Sequence, residues 1–195
     1  MKITRLVLLA AVAGLSGCVT GYTLVAAGPT TIYDLHVNAA PGWNLAPGSN
    51  TNARANTQVW TQDGLLLNRI AFVPAVPHGE ALIRSPQKDA ALPVFRKDML
   101  PNEIEELVES TFVKLYGDGN AVISTSNLRP HTFGDTPGVL FDVDASVTES
   151  PDYKGVVGAF VSGERLYFMY YLAAEPHYFG KHREAAEGMI KSAHL

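Results

Sequence analysis

The chain has one cysteine, Cys18, in 195 residues. A disulfide within one chain is therefore excluded, as are zinc motifs built on paired cysteines, and the fold must stand on its core. Charged residues are scarce too, at 17%, and the formal net charge is −4. Nucleic-acid binding draws its affinity from neutralised phosphates and is not expected of a mildly acidic chain; polybasic adhesion to a membrane surface is not expected either. There is no internal repeat and no low-complexity tract. No apolar run approaches the roughly 20 residues that a membrane-spanning helix needs.

The longest apolar run, Leu6 to Leu15, follows the basic residues Lys2 and Arg5 and precedes the small residues Ser16 and Gly17. That is the layout of a secretory signal peptide, expected over residues 1–17. The closing Leu15-Ser16-Gly17-Cys18 resembles the lipobox of bacterial lipoproteins. The resemblance implies cleavage before Cys18, diacylation of its thiol and usually acylation of the new amino group. Two or more acyl chains give stable anchoring, at ~0.8 kcal/mol per buried methylene. Val19 stands where an Asp would resemble an inner-membrane retention signal, so the expected place is the periplasmic face of the outer membrane. Residues 18–30 are read as the lipidated N-terminus and a short tether, although Tyr22 to Ala26 reads equally as an edge strand. Removing the leader leaves about 178 residues, enough for one ordinary domain, expected over 31–195.

Along that domain, Thr31 to Val37 reads as a strand, followed by the turn-rich Pro41 to Gly48 and a polar loop to Asn56. Thr57 to Gln62 and Leu65 to Val73 are β-rich runs separated by Asp63-Gly64, a strong hairpin signal; Pro74 and Pro77 are expected to close the second. Residues 78–100 are irregular and long enough to suggest a functional or wrapping segment; Ala81 to Arg84 or Val94 to Lys97 could be a short strand. Ile104, Leu107, Val108, Phe112 and Leu115 fall on one face of a 3.6-residue repeat, predicting a helix over 101–116. Ala121 to Ser126 reads as a short strand. Val139 to Val147 alternates apolar with polar residues, as a half-buried strand does. Gly155 to Val161 and Arg165 to Ala174 pair across Ser162-Gly163-Glu164. In Leu166 to Leu172 both faces are apolar, the mark of a central strand covered on each side. Tyr178, Ala185, Ala186, Met189 and Ile190 give a last helix opened by Pro176. The class is α+β: a mainly antiparallel sheet with helices packed on it.

Pro41-Gly42-Trp43 after the first strand, the acidic helix in mid-chain, and the closing strand–helix pair with Tyr178-Phe179 and Met189-Ile190-Lys191-Ser192 together resemble the PsbP-like α/β/α sandwich. That family includes the photosystem II extrinsic protein PsbP, a Ran-binding import factor and envelope proteins such as DcrB. The resemblance implies a fold and carries no catalytic residues, because members do different jobs.

Known chemistries find little purchase. His78-Gly79-Glu80 has the H-x-E form of zinc deaminases without their cysteines. His177 and His182 are five apart, about 140° around a helix, and do not share a face. His36, His131 and His194 are isolated in sequence and read as surface residues. Asp142 and Asp144 point the same way on one strand, but two carboxylates fall well short of the six to eight oxygens that calcium takes. Ser162 lacks a G-x-S-x-G setting, and Gly117-Asp118-Gly119 follows a helix instead of opening one. Trp43, Trp60, Tyr167, Phe168, Tyr170 and Tyr171 read as core before ligand platform. No catalytic residue, metal ligand or cofactor is expected, and no ligand-binding residue is assigned. The expected function is that of a non-enzymatic binding or accessory module, held to the membrane by Cys18 and acting on an envelope protein partner through the loops at 41–56 and 77–100. The alternative is a small-ligand or lipid carrier with an apolar pocket between sheet and helix.

Overall fold

Every residue from Leu166 to Ala174 is buried, so that strand must be covered on both faces. The computed structural model, which describes residues 21–48, 53–85, 91–117 and 119–195, shows how. In chain order the elements are β1 (Thr23–Leu24), β2 (Gly28–Ile32), β3 (Leu35–Ala39), β4 (Asn44–Leu45), β5 (Gln58–Thr61), β6 (Asn68–Pro77), α1 (Pro101–Tyr116), β7 (Ala121–Phe133), β8 (Thr136–Val147), β9 (Tyr153–Ser162), β10 (Arg165–Ala174) and α2 (Tyr178–Lys191). Eight strands form one sheet in the order β1-β4-β5-β6-β10-β9-β8-β7, every pair antiparallel. β2 and β3 form a separate hairpin.

The sheet divides two cores. On one face Val108 and Phe112 of α1 pack on Phe141, Val157 and Phe168. On the other, Ala186, Met189 and Ile190 of α2 and Ile32, Leu35 and Val37 of the hairpin cover Trp60, Phe72, Phe160 and Tyr171. Alternation along β8 sends Phe141 and Val143 to the first core and Leu140 to the second, as period-2 geometry requires. The α+β class and the sheet-with-helices architecture are as expected. α1 starts at Pro101, and Glu103 turns back to accept the Leu100 backbone N–H at 2.7 Å, satisfying one of the helix's free donors.

Several local expectations are corrected. The single strand over Thr31–Val37 is a hairpin, turning at Tyr33-Asp34 with Tyr33 at φ 60. Asp34 is fixed there by the Tyr167 hydroxyl at 2.8 Å. Burial, helped by that carboxylate, pushes the Tyr167 phenol up to about 12. Of the two readings open for the lead-in, the edge strand holds over residues 21–30, which contribute β1 at the sheet edge and the start of β2. β5 and β6 do pair, but their connection spans 62–67 and is no two-residue turn. β6 is not closed by Pro74. It runs on to Pro77 through an irregularity between Val73 and Val76, with Ala75 at φ 52, and a bulge of this kind spares the proline a place in the ladder. β7 continues to Phe133 past a register shift after Ser126, where Asn127 has φ 57. Pro130 is accommodated because β7 is an edge strand. On α2, Ala185 faces solvent and His182 takes an inward slot. Among the described residues between 78 and 100, Ala81 and Val94 form an isolated bridge. The segment wraps the first core, which it fills with Leu82, Ile83 and Phe95. Among the described residues no helix is long and apolar enough to cross a membrane.

Candidate functional site

Where α1 begins over the ends of β8 and β9, the sheet and helix part to leave an apolar recess of about 210 Å³. Met99, Pro101 and Ile104 form one wall, and Pro137, Val139 and Phe160 contribute to the other. Leu100, between two of the lining residues, is 61% exposed. The strap that carries it is held at two points. Arg96 pairs with Glu103 of α1 at 2.8 Å, and Lys97 pairs with Glu164 in the β9–β10 turn. The Lys97–Glu164 hydrogen bond and charge raise the lysine's pKa and lower the glutamate's. The arrangement offers apolar contact with a charged rim, as protein-recognition surfaces do. A second space, about 40 Å³ beneath β5 and β6, is lined by Val59, Ala71, Val73 and Tyr170, with Thr57 Oγ1 beside it lacking a partner.

The densest polar cluster is at the other end of the sheet. Asp63, in the β5–β6 connection, accepts from Lys181 Nζ at 2.8 Å and Asn68 Nδ2 at 2.5 Å and meets His182 Nε2 at 2.6 Å. The Thr61 hydroxyl donates to the Asn68 carbonyl at 2.7 Å. The Trp43 ring lies edge-on to His182 at 5.9 Å, its Nε1 without a hydrogen-bond partner. Burial pushes the Asp63 carboxyl up, but the hydrogen bonds and charges of Lys181 and His182 outweigh it and hold the pKa below the usual value. A depressed carboxylate contributes stability that is complete above the ordinary Asp pKa of about 3.9 and lost as pH falls through the folded-state value. Asp63→Asn is therefore expected to cost ~1.5–3 kcal/mol at pH 7, the range for hydrogen bonds to charged groups. The gap from wild type should close as both are titrated below pH ~4, and urea titrations at a series of pH values measure it. A gap that stays constant would refute the assignment.

A third cluster surrounds Arg69. Its guanidinium donates to Tyr116 Oη at 2.6 Å and to the Leu65 carbonyl at 3.2 Å, and no carboxylate pairs with it among the described residues. Burial lowers its pKa, while the facing tyrosines Tyr116, Tyr170 and Tyr153 raise it and win. The cation ties the end of α1 to β6.

The residues singled out from sequence sort clearly. Cys18 and its lipobox lie outside the described residues. Asp142 and Asp144 share a face but are separately engaged: Asp142 by Arg129 at 3.1 Å and Asn127 at 2.9 Å, Asp144 by Lys154 at 3.9 Å. His78 Nδ1 accepts the Lys97 N–H at 3.2 Å, whereas Glu80 pairs with Arg54. His177 precedes α2 and lies edge-on to Tyr178 at 5.0 Å, apart from buried His182. Ser162 ends β9, paired with Arg165 across the Gly163-Glu164 turn, and Gly117 ends α1 with φ 92. Trp43, Trp60, Phe168 and Tyr171 are fully buried. His36 and His194, isolated in sequence, are brought side by side. Sequence reading missed that pair, the Asp63–His182 contact and the Met99–Pro137 recess. Each joins segments separated by 38 to 158 positions, and no periodicity links them.

The fold is PsbP-like. The solution structure of cyanobacterial PsbP (CyanoP) from Synechocystis sp. PCC 6803 matches with a TM-score of 0.57, covering 94% of this chain and 98% of that one at 10% identity. No family model matches the chain, and no curated protein matches it.

Proposed function

We propose that the protein is a lipid-anchored component of the bacterial cell envelope, held by Cys18 at the periplasmic face of the outer membrane, and that it is a non-enzymatic accessory module binding another envelope protein. The lipobox-like Leu15-Ser16-Gly17-Cys18 behind a signal-peptide layout supports the anchor. The binding role rests on one observation, the apolar recess flanked by exposed Leu100 and held open by a strap with ion pairs at Arg96 and Lys97. Met99, Leu100 and the strap belong to the 77–100 loop expected to make contacts; the other lining residues are on α1, β8 and β9. The carrier reading is less well supported. Ligand pockets run to roughly 300–1,000 Å³, against about 210 Å³ for the recess between sheet and helix and 40 Å³ for the enclosed space; hollows of about 280 and 300 Å³ occur at 119–122 with 146–148 and around Tyr22, Asn44 and Gln62, but no helix residue lines them.

A photo-crosslinker placed at position 100 in intact cells tests the binding role. One envelope protein should be captured there, none with the crosslinker at Glu184 on exposed α2, and Met99→Asp should reduce capture at least ~10-fold, the effect of losing about 1.4 kcal/mol. Equal capture at both positions, or capture indifferent to Met99→Asp in a protein of unchanged Tm, would remove the recess from the proposal.

A further inference from the structure

His36 on β3 and His194, just beyond α2, are 158 positions apart in sequence and form an antiparallel bridge. Their backbones exchange hydrogen bonds, His36 N to His194 O at 2.8 Å and His194 N to His36 O at 3.0 Å. Both residues are exposed, and their rings lie 5.4 Å apart at an interplanar angle of 34°. We propose that these two imidazoles form a binding site for a divalent transition metal of the zinc, nickel and copper class.

The polar contacts favour that chemistry. His194 Nδ1 is 3.0 Å from the Ser192 carbonyl oxygen. A carbonyl only accepts, so Nδ1 carries the proton and Nε2 keeps its lone pair. His36 Nδ1 is 3.0 Å from the Thr31 hydroxyl, which can accept as well as donate, so His36 can take the same tautomer. Metal-binding histidines show this arrangement, one ring nitrogen ligating and the other held by an oxygen that fixes the ring. Neither Nε2 has a hydrogen-bond partner among the described residues.

The spacing also fits. With a metal–nitrogen bond of ~2.0–2.1 Å, each ring centroid stands ~3.2 Å from the metal. With both Nε2 atoms turned to one ion, two such arms whose centroids are 5.4 Å apart would meet at ~115°, close to the tetrahedral angle that zinc favours. No group of three or more ligating side chains occurs among the described residues, so the remaining positions fall to water. The bridge that sets the pair is itself braced: Asn38 N donates to Ser192 Oγ at 2.9 Å. A bound ion would fasten the segment after α2 to the β2–β3 hairpin.

The experiment is calorimetric titration of the detergent-solubilised full chain with Zn²⁺ and Ni²⁺, beside thermal melts. One equivalent should bind, with a rise in Tm. His36→Asn or His194→Asn should weaken binding by more than ~10-fold, and Thr31→Val should weaken it ~10-fold with both ligands present; His131→Asn should change nothing. Because either substitution also removes a side chain from the docked tail, the unaltered protein supplies a second readout: zinc should shift the imidazole ¹⁵N resonances of His36 and His194 together and leave those of His78 and His177 in place. Binding that survives either ligand replacement, or zinc-induced shifts centred on other histidines, would overturn the site.

Discussion

Gly138→Ala is expected to lower Tm by ~6–12 °C. On the α2 face of the sheet, Phe133 of β7 stacks on Phe160 of β9 at 4.9 Å, and Phe160 stacks on Tyr167 of β10 at 4.9 Å. The intervening strand, β8, presents Gly138 between His131 of β7 and Phe160 of β9. The Phe133 ring reaches across that gap. A Cβ on Gly138 would lie 2.5 Å from the Ala159 carbonyl oxygen, 2.7 Å from Phe160 Cβ and 2.8 Å from Phe133 Cδ2. Two of those atoms belong to β9's backbone or the root of its side chain, so a rotamer change cannot relieve them. Overpacking costs ~1–3 kcal/mol, and a disrupted aromatic pair adds ~0.5–1.5 kcal/mol. At ~2–4 °C per kcal/mol for a domain of this size, a total near 3 kcal/mol gives the stated drop. Thermal and urea melts of Gly138→Ala and Gly138→Ala/Phe133→Leu measure it. The double variant should be less than additive, since the ring is one of the three obstacles. A single-variant Tm within 1 °C of wild type would show that β8 and β9 part easily, contrary to this packing.

The elements legible in the sequence were those whose side chains meet the same partner surface along their whole length. β10 announced its central place through the doubly apolar Leu166 to Leu172, and α1 through Ile104, Leu107, Val108 and Phe112, all buried as the period required. β8 alternates from Phe141 onward and was read as a strand over 139–147, while its start at Thr136 was missed. Where the backbone changes register, the pattern breaks. β7 was lost after Ser126 because the irregularity at Asn127 resets which face each residue takes. The β2–β3 turn was lost because Tyr33-Asp34 carries neither glycine nor asparagine. Its left-handed Tyr33 is tolerated where Asp34 is tied to Tyr167, 133 residues away. His182 was left out of the last helix's apolar pattern because helical spacing finds apolar residues and is blind to an imidazole whose partner, Asp63, arrives from another loop. The recess is less legible still. Met99 and Pro137 each look ordinary, and only the sheet order brings them together.

Cys18→Ser should release the protein from the membrane almost entirely, leaving it soluble or arrested as precursor while the Tm of the domain stays unchanged. The physical ground is the number of acyl chains: one holds a protein marginally and two or more hold it stably, and a serine offers no thiol for the first. β1 begins at Thr23, five positions after Cys18, so at ~3.3–3.6 Å per residue the sheet edge is within ~18 Å of the acylated residue. The exposed Tyr22 and Leu24 belong to that edge. The recess belongs to β8 and β9, five or six strands across the sheet from β1; at ~4.8 Å per strand that is ~24–29 Å. The proposed anchor would then join the sheet at its β1 edge while the proposed contact surface lies toward the β7 side, which would leave the recess free to meet a partner in the same envelope layer. Loss of the anchor should then reduce capture at position 100 as well, because membrane attachment supplies the local concentration of the two proteins. Fractionation with a palmitate label, with and without a high-salt wash, gives the first readout, and crosslinking gives the second. A mature-sized Cys18→Ser product still held in the membrane at high salt would refute the lipid anchor; undiminished capture by a released protein would detach the binding role from it.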